Sequence, residues 1–512
     1  MKDKISKLIK EALNSLDIEG GDFVVEHPSD LKMGDYSTNV GIKTGKAEAI
    51  LNHLEAQLPS GVERVELAGA RFINFYLSKE FLKNSLEEII EKGENFGKNE
   101  TFKNEKVMVE HTDPNPFKEF HIGHLMPNII GSTIAKIFEW NGAEVKQVNY
   151  QGDVGMHIAK TLWAEGNYAK GSRAFEEDPE AKKEIEEINR KIYDKSDPEL
   201  TERYEKGKRE SLDKFEEIYK RLGTKFDYYF FESETGEVGK KIVLDNIGKV
   251  FEKSDGAIVF KGSHTRVFIN SQGLPTYEAK DLGNAKVKYE KYPYTCSIVV
   301  TGNEIKEYFR VVLEAMKQIM PELAEKTKHL PHGMLKLPTG KMSSRTGDVI
   351  TAEELIEEVK KKTKGDEQVA MGAIKYMILR QAIGKDIIFD IEKSISTEGD
   401  SGVYLQYAHA RACSVLEKAN LMALNKHLEV ELPSSGIERL LYRFSEIVER
   451  AGLEYAPNYI NTYLTELASS FNSFYAQEEI LGDAHRLAIT EAFKIVMSNG
   501  LNILGIPAPT RM

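Results

Sequence analysis

Apolar positions recur every three or four residues at the start of the chain, at Ile5, Leu8, Ile9, Ala12, Leu13 and Leu16, and this spacing predicts an amphipathic helix. Alternating segments follow at Asp22 to Glu26 and Arg71 to Leu77, so residues 1 to about 100 read as a small α+β domain. The charged, glycine-bearing stretch Glu91 to Lys106 reads as a linker into an apolar strand, Lys106 to Glu110. The pattern then runs strand, loop, helix, strand: Val107 to Glu110, a proline-rich loop through Phe120, an apolar helix to Trp140, and Glu144 to Tyr150. That order is a βαβ unit, which predicts a parallel sheet with ligands at its carboxyl edge. A charged stretch from about 165 to 222 predicts inserted helices with solvated faces, the insertion as a whole reaching about 250. Apolar runs at Ala257 to Phe260, Arg266 to Asn270 and Ser297 to Thr301 are expected to resume the sheet, closing an α/β domain of residues 101–384. Beyond 385 the period is helical, with one stripe at Ile437, Leu440, Leu441, Phe444, Ile447 and Val448 and another at Tyr463, Leu464, Leu467, Phe471, Phe474 and Tyr475. A helix bundle over 385–512 is the simplest solution.

Composition agrees with a modular, folded chain. At 512 residues it exceeds one ordinary core, and 41% hydrophobic with 29% charged residues excludes disordered and fibrous classes. No apolar run nears the roughly 18 residues a membrane span needs, and the start, MKDKISKLIKEALNSL, interleaves charges, so neither a span nor a secretory signal is expected. Cys296 and Cys413 lie far apart, outside any Cys-x-x-Cys arrangement, which argues against a disulfide framework or a structural zinc site. The net charge of −12 opposes generic nucleic-acid binding, so an RNA partner has to be argued from local residues.

The densest chemical signal is PNPFKEFHIGHL, residues 114–125, where the first strand of the βαβ unit gives way to its helix. A helix N-terminus offers free N–H groups and positive dipole, which suits phosphate. His121 and His124 are three apart and share a helical face, where imidazole N–H groups can donate to phosphate oxygens. Gly123 leaves space for a flat ring, and Lys118 adds a cation. A second signal, GKMSSRTGD at 340–348, is a glycine-flanked loop whose Lys341, Ser343, Ser344 and Arg345 have the donors to hold a departing pyrophosphate.

Together these resemble the two signature motifs of class I aminoacyl-tRNA synthetases. EHTDPNPFKEFHIGHL, NYQGDVGMHIAK, SLDKFEEIYKRLGTKFDYYFFES, YLQYAHARACSVL and LGIPAPTRM, in that order, resemble the arginyl-tRNA synthetase pattern, and MGDYSTNV and AGARFINFYL resemble that family's extra N-terminal domain. The resemblance spans almost the whole chain. It implies a multidomain α/β protein: a Rossmann-like parallel-sheet catalytic domain with a helical insertion, a small α+β N-terminal domain and an all-α C-terminal anticodon-binding bundle. It also implies a cytoplasmic monomer that uses ATP with Mg2+, L-arginine and tRNA(Arg), with no zinc or tightly bound cofactor.

The same resemblance implies roles for residues. His121, Gly123, His124, Lys341, Ser343 and Ser344 are implied at ATP, with Gly302 and the backbone of Gly333, Met334 and Leu335 near the nucleotide. Lys118, Lys341 and Arg345 share the phosphate-stabilising role, Ser344 standing where the wider class has a second lysine. A guanidinium has five N–H donors that need acceptors, and Glu110, Asn115, Tyr277 and Asp281 stand at the arginine positions, with Asn303 a looser match. Tyr404, Tyr407, His409, Arg411 and the terminal Met512 are implied at the anticodon, and Asn74 and Tyr76 at the outer corner of the tRNA. A synthetase of another specificity and a catalytically silent tRNA-binding paralogue are the alternatives left open.

Overall fold

The computed structural model describes residues 1–336, 338, 350–422 and 436–512. At the amino end, strands Val25–Glu26 (β1), Tyr36–Thr38 (β2), Val62–Ala68 (β3) and Phe72–Leu77 (β4) form an antiparallel sheet in the order β1-β2-β4-β3. The helix Lys2–Ser15 lays Ile5, Leu8, Ile9, Ala12 and Leu13 onto it. This domain is fastened to the C-terminal bundle by buried polar bonds: Arg439 reaches Asp35 at 2.6 Å, and Glu446 accepts from the Tyr36 hydroxyl at 2.5 Å.

The central sheet is parallel, built from Lys106–Glu110 (β5), Glu144–Gln151 (β6) and Tyr228–Phe231 (β7) on one side and two later strands on the other. Between them in the chain come Glu252–Ser254 (β8), Ala257–Lys261 (β9) and Thr265–Ile269 (β10). Cys296–Gly302 (β11) and Thr327–His332 (β12) then complete the order β12-β11-β5-β6-β7. The direction of winding therefore reverses at β5, and the crevice outside the carboxyl ends of β5 and β11 is where open α/β sheets bind ligands. Two-residue strands Leu335–Lys336 (β13) and Ile387–Ile388 (β14) pair in parallel beside it, the latter within the stretch whose periodicity reads as helical.

The expectation that residues 257–260 and 266–270 rejoin the main sheet is corrected. β8, β9 and β10 form a separate antiparallel sheet, with Thr265 opposite Lys261. Only three residues separate β9 from β10, too few for the crossover a parallel pair needs. The inserted helices Tyr168–Glu177, Pro179–Asp194 and Pro198–Leu222 are capped by Asn167, Asp178 and Asp197, and the chain then returns to the main sheet as β7.

The helix Ile122–Trp140, hereafter the signature helix, is apolar on nearly every side because it lies between the sheet and the C-terminal helices. The C-terminal bundle includes Gly402–Met422, Phe444–Leu453, Pro457–Gln477 and Ala484–Ile503, with Phe471 and Phe493 stacked at 3.8 Å in its core. Among the described residues no helix is long and apolar enough to cross a membrane.

Candidate active site

His121 is the N-cap of the signature helix, in extended backbone conformation. Its Nδ1 accepts from the Gly123 N–H at 3.0 Å, and its own N–H donates to Nδ1 of His124 at 3.3 Å, so the two imidazoles form a reciprocal capping box. Their rings stack 3.9 Å apart, centre to centre. Burial, then the charge of Lys118, lowers the pKa of His121; burial, His121 and Lys118 push that of His124 well below the usual imidazole value. Both rings are therefore neutral at pH 7. Because each Nδ1 is already an acceptor, the ring proton of each sits on Nε2, which makes both histidines Nε2–H donors. Gly123 has no room for a side chain, since a Cβ there would stand 2.7 Å from the His121 ring. Lys118 is half-buried with Nζ 4.6 Å from the Tyr168 ring centre, and burial followed by Lys160 lowers its pKa.

Lys341, Ser343, Ser344 and Arg345 lie outside the described residues. The chain on the carboxyl side of that segment does meet the first signature. Ile122 donates its N–H to the Ile350 carbonyl at 3.3 Å, Ala352 donates to Phe120 at 2.9 Å, and His121 bridges Thr351. On the other side, Met334 has both backbone groups engaged, its N–H with Asp386 Oδ1 at 2.8 Å and its carbonyl with the Ile387 N–H at 2.8 Å. Gly333 packs so tightly that a Cβ would lie 2.2 Å from the Lys385 carbonyl. Gly302 ends β11 directly opposite His332, while Asn303 is exposed on the short turn that follows.

Carboxylates line the neighbouring part of the crevice. Glu110, at the carboxyl end of β5, is only 4% exposed, and its Oε2 accepts from Lys288 Nζ at 2.7 Å and Asn284 Nδ2 at 2.9 Å. Lys288 and Asn284 belong to the helix Tyr277–Lys291, so this buried pair fixes the helix that also carries Asp281. Asp281 Oδ2 accepts from the Tyr308 hydroxyl at 2.5 Å; burial, opposed by that hydrogen bond and aided by Glu110 and Glu232, pushes its carboxyl up to about 8. Tyr277, one helical turn earlier, is 55% exposed at the rim. Asn115 lies against Gly152, where a Cβ would stand 2.2 Å from its Oδ1.

Three participants escaped the sequence reading. Asp113, held at positive φ, accepts from the Tyr150 N–H at 2.8 Å, and burial together with Glu110 raises its pKa well above the usual carboxylate value. The signal was present, because Asp113 lies inside the quoted EHTDPNP motif. Glu232 and Lys280 form a buried pair at 2.6 Å that no local pattern announces. At Gly152 a Cβ would meet both Asn115 Oδ1 at 2.2 Å and Glu232 Oε1 at 3.2 Å, and Lys280, the partner of Glu232, adjoins Asp281 in the chain, so the loop that leads to the imidazoles and the carboxylate end lie along one crevice.

The residues expected at RNA divide. Tyr407 is 38% exposed, and the Arg411 guanidinium sits 4.8 Å from the ring centres of both Tyr407 and Tyr475 while donating to Asn472 Oδ1 at 2.6 Å. Tyr475 thus joins the platform although its helical spacing placed it among core positions. Tyr404 is half-buried and Met512 exposed. His409 faces protein: it is buried with Nδ1 3.0 Å from the Pro509 carbonyl, so it holds the C-terminal tail. Asn74 is likewise buried, its Oδ1 accepting from Ser37 Oγ at 2.7 Å, whereas Tyr76 is half-buried under Arg64 at 3.6 Å.

Comparison with known proteins agrees with this architecture in each domain. Residues 85–163 and 162–375 match the family model for the class I (R) tRNA synthetase catalytic domain, residues 3–77 that for the arginyl tRNA synthetase N-terminal domain, and residues 405–512 the DALR anticodon binding domain. The chain is 31% identical over 497 residues to the arginine–tRNA ligase of Treponema denticola, covering 85% of this chain and 84% of that one. With the arginine–tRNA ligase of Halothermothrix orenii it shares 28% identity over 100% and 99% of the two chains. Among solved structures, Thermus thermophilus arginyl-tRNA synthetase superimposes over 100% of both chains with a TM-score of 0.75 at 25% identity. The Plasmodium falciparum arginyl-tRNA synthetase shares the fold, with a TM-score of 0.79 over 100% and 99% of the chains at 21% identity. Agreement of the catalytic model over more than half the residues with full-length relatives places the chain in the arginyl-tRNA synthetase family.

Proposed function

We propose that the protein is an arginine–tRNA ligase: it activates L-arginine with ATP, supplied as its magnesium complex, to arginyl-adenylate and pyrophosphate, then passes the arginyl group to the 3′ ribose of tRNA(Arg). The observation that carries this reading is the pair of stacked neutral imidazoles at the N-terminus of the signature helix, in the same crevice as Asp281.

In the first step the arginine carboxylate attacks the α-phosphorus and pyrophosphate leaves, so the protein supplies no nucleophile. Its task is alignment and charge stabilisation. His121 and His124 donate Nε2–H to phosphate oxygens, the helix N-terminus adds positive potential, and Lys118 adds a full charge. Lys341, Ser343, Ser344 and Arg345 are assigned to the leaving pyrophosphate on sequence grounds. Gly302 and the Gly333 to Leu335 segment flank the nucleotide. Asp281 takes the guanidinium. Both bonds to Glu110 fall on Oε2, which leaves Oε1 for the substrate ammonium, with Asn115 beside it. Tyr407, Arg411 and Tyr475 offer stacking faces to single-stranded bases.

Charging of total tRNA with each labelled amino acid, with and without ATP, tests the proposal. Arginine alone should be incorporated, and only with ATP. Incorporation of another amino acid overturns the specificity, and no incorporation at all favours a silent paralogue. Pyrophosphate exchange with and without tRNA, and the mass in solution, address adenylate formation and the monomer.

A further inference from the structure

Two to four turns along the signature helix from the histidines lies a cavity of about 300 Å3, lined by Ser132, Thr133, Lys136, Lys375, Ser498 and Asn502 together with the chain at 505–508. It sits where four pieces of the fold meet: the signature helix, the end of the inserted helix Pro198–Leu222, the helix Glu367–Leu379, and the tail beyond Ala484–Ile503.

Lys375 is 6% exposed, and its Nζ donates to the Leu222 carbonyl at 2.6 Å and the Gly505 carbonyl at 2.7 Å. Gly505 permits this approach, because a Cβ there would stand 3.1 Å from that Nζ. Lys136 Nζ donates to the Asn502 carbonyl at 3.0 Å. All these partners are neutral carbonyls at two helix ends. Among the described residues no carboxylate lines the cavity; Glu139, one turn further along the same helix, bears on Lys136. A helix C-terminus is worth about half an elementary negative charge. Two such ends, with the exposed Glu139 acting on Lys136 alone, leave the two protonated lysines only partly matched, and buried charge is ordinarily paired.

We propose that this cavity is an anion site, distinct from the catalytic crevice, that takes a small tetrahedral oxyanion of the phosphate class between Lys136 and Lys375. Thr133 and Ser498 are among the residues that line the same space. Lys375, the more enclosed of the two lysines, favours a small free anion over a phosphate carried on a chain. In its absence the two ammonium groups work against each other: burial first, then Lys136, draws Lys375 down to about 7. An anion between them relieves both effects and ties the C-terminal tail to the catalytic domain.

The test uses the full chain with inorganic phosphate in solution and selenate in crystals. Phosphate binding, followed calorimetrically at constant ionic strength, is compared for the wild type, Lys136→Gln, Lys375→Met and His124→Asn. The expected result is an anomalous selenate peak within hydrogen-bond reach of both lysines, with phosphate binding weakened about tenfold by Lys136→Gln, the loss of one charged hydrogen bond, and still present in His124→Asn. Lys136 is only part-buried, so its variant carries the test if Lys375→Met does not fold. An empty cavity in selenate crystals, or unchanged phosphate affinity in Lys136→Gln, overturns the proposal.

Discussion

The Tyr308 hydroxyl donates to Asp281 Oδ2 at 2.5 Å, and this bond favours the ionised form of a carboxyl that burial pushes up, the two together leaving it at about 8. With the crevice empty, Asp281 is largely protonated at pH 7. On the proposed assignment a guanidinium bound there would ionise it, so arginine binding should release a proton. The native pKa lies above the free value near 3.8; between those limits the folded chain holds a proton that the unfolded chain has lost, so stability from this group falls as pH rises towards 8. Arginine affinity moves the opposite way. The KM for arginine should fall as pH rises from 6, by up to about tenfold per unit, and level off above about pH 8. Tyr308→Phe should move the midpoint upward, and Asp281→Asn should abolish the pH dependence while weakening arginine far more than ATP.

The stacked imidazoles give a different signature. Burial and Lys118 depress both pKa values, so any titration of the pair should fall on the acid side of the ordinary imidazole value and leave the rate flat from pH 7 to 8. Replacing His124 by Asn should lower kcat for pyrophosphate exchange by about 10²–10³, the usual cost of removing one donor to developing charge, with the KM for arginine little changed.

Which features could be read from sequence follows the range of the interactions that specify them. The signature helix and its histidines were legible because cap, glycine and apolar stripe fall within a few residues of one another. The hairpin of β9 and β10 was misassigned, although its three-residue connection carried the correction. β7 is four aromatic residues beside a charged insertion, and only its pairing with β6 identifies it. Lys288 could not be assigned to Glu110 from any pattern, because 178 residues separate them and the contact exists only once two strands and a helix have packed.

That pair predicts a stability effect. Lys288 and Glu110 are both almost fully buried, so Lys288→Met leaves an uncompensated carboxylate and should cost about 3–5 kcal/mol, read from the urea midpoint of the catalytic domain. Adding Glu110→Leu should recover much of that loss, because the burial penalty disappears with the charge. A double variant as unstable as the single one would mean that packing, not charge, holds the helix Tyr277–Lys291.

The last prediction concerns the platform on the bundle. Arg411 lies between the rings of Tyr407 and Tyr475 and is held there by Asn472, so one flat cation and two aromatic faces form a single surface. Stacking of a base on such a ring is worth roughly 1–3 kcal/mol. Tyr475→Ala should therefore raise the KM for tRNA by roughly ten- to a hundredfold while leaving the KM values for ATP and arginine unchanged. Asn472→Ala should produce a smaller loss of the same kind, because it frees the guanidinium from its anchor without removing a stacking face. His409→Ala separates this surface from mere bundle integrity: its ring holds the tail at Pro509, so it should lower thermal stability, with the loss of tRNA affinity following only as the tail loosens. If Tyr475→Ala leaves the KM for tRNA untouched, the aromatic pair is packing alone and the RNA contact lies elsewhere on the bundle.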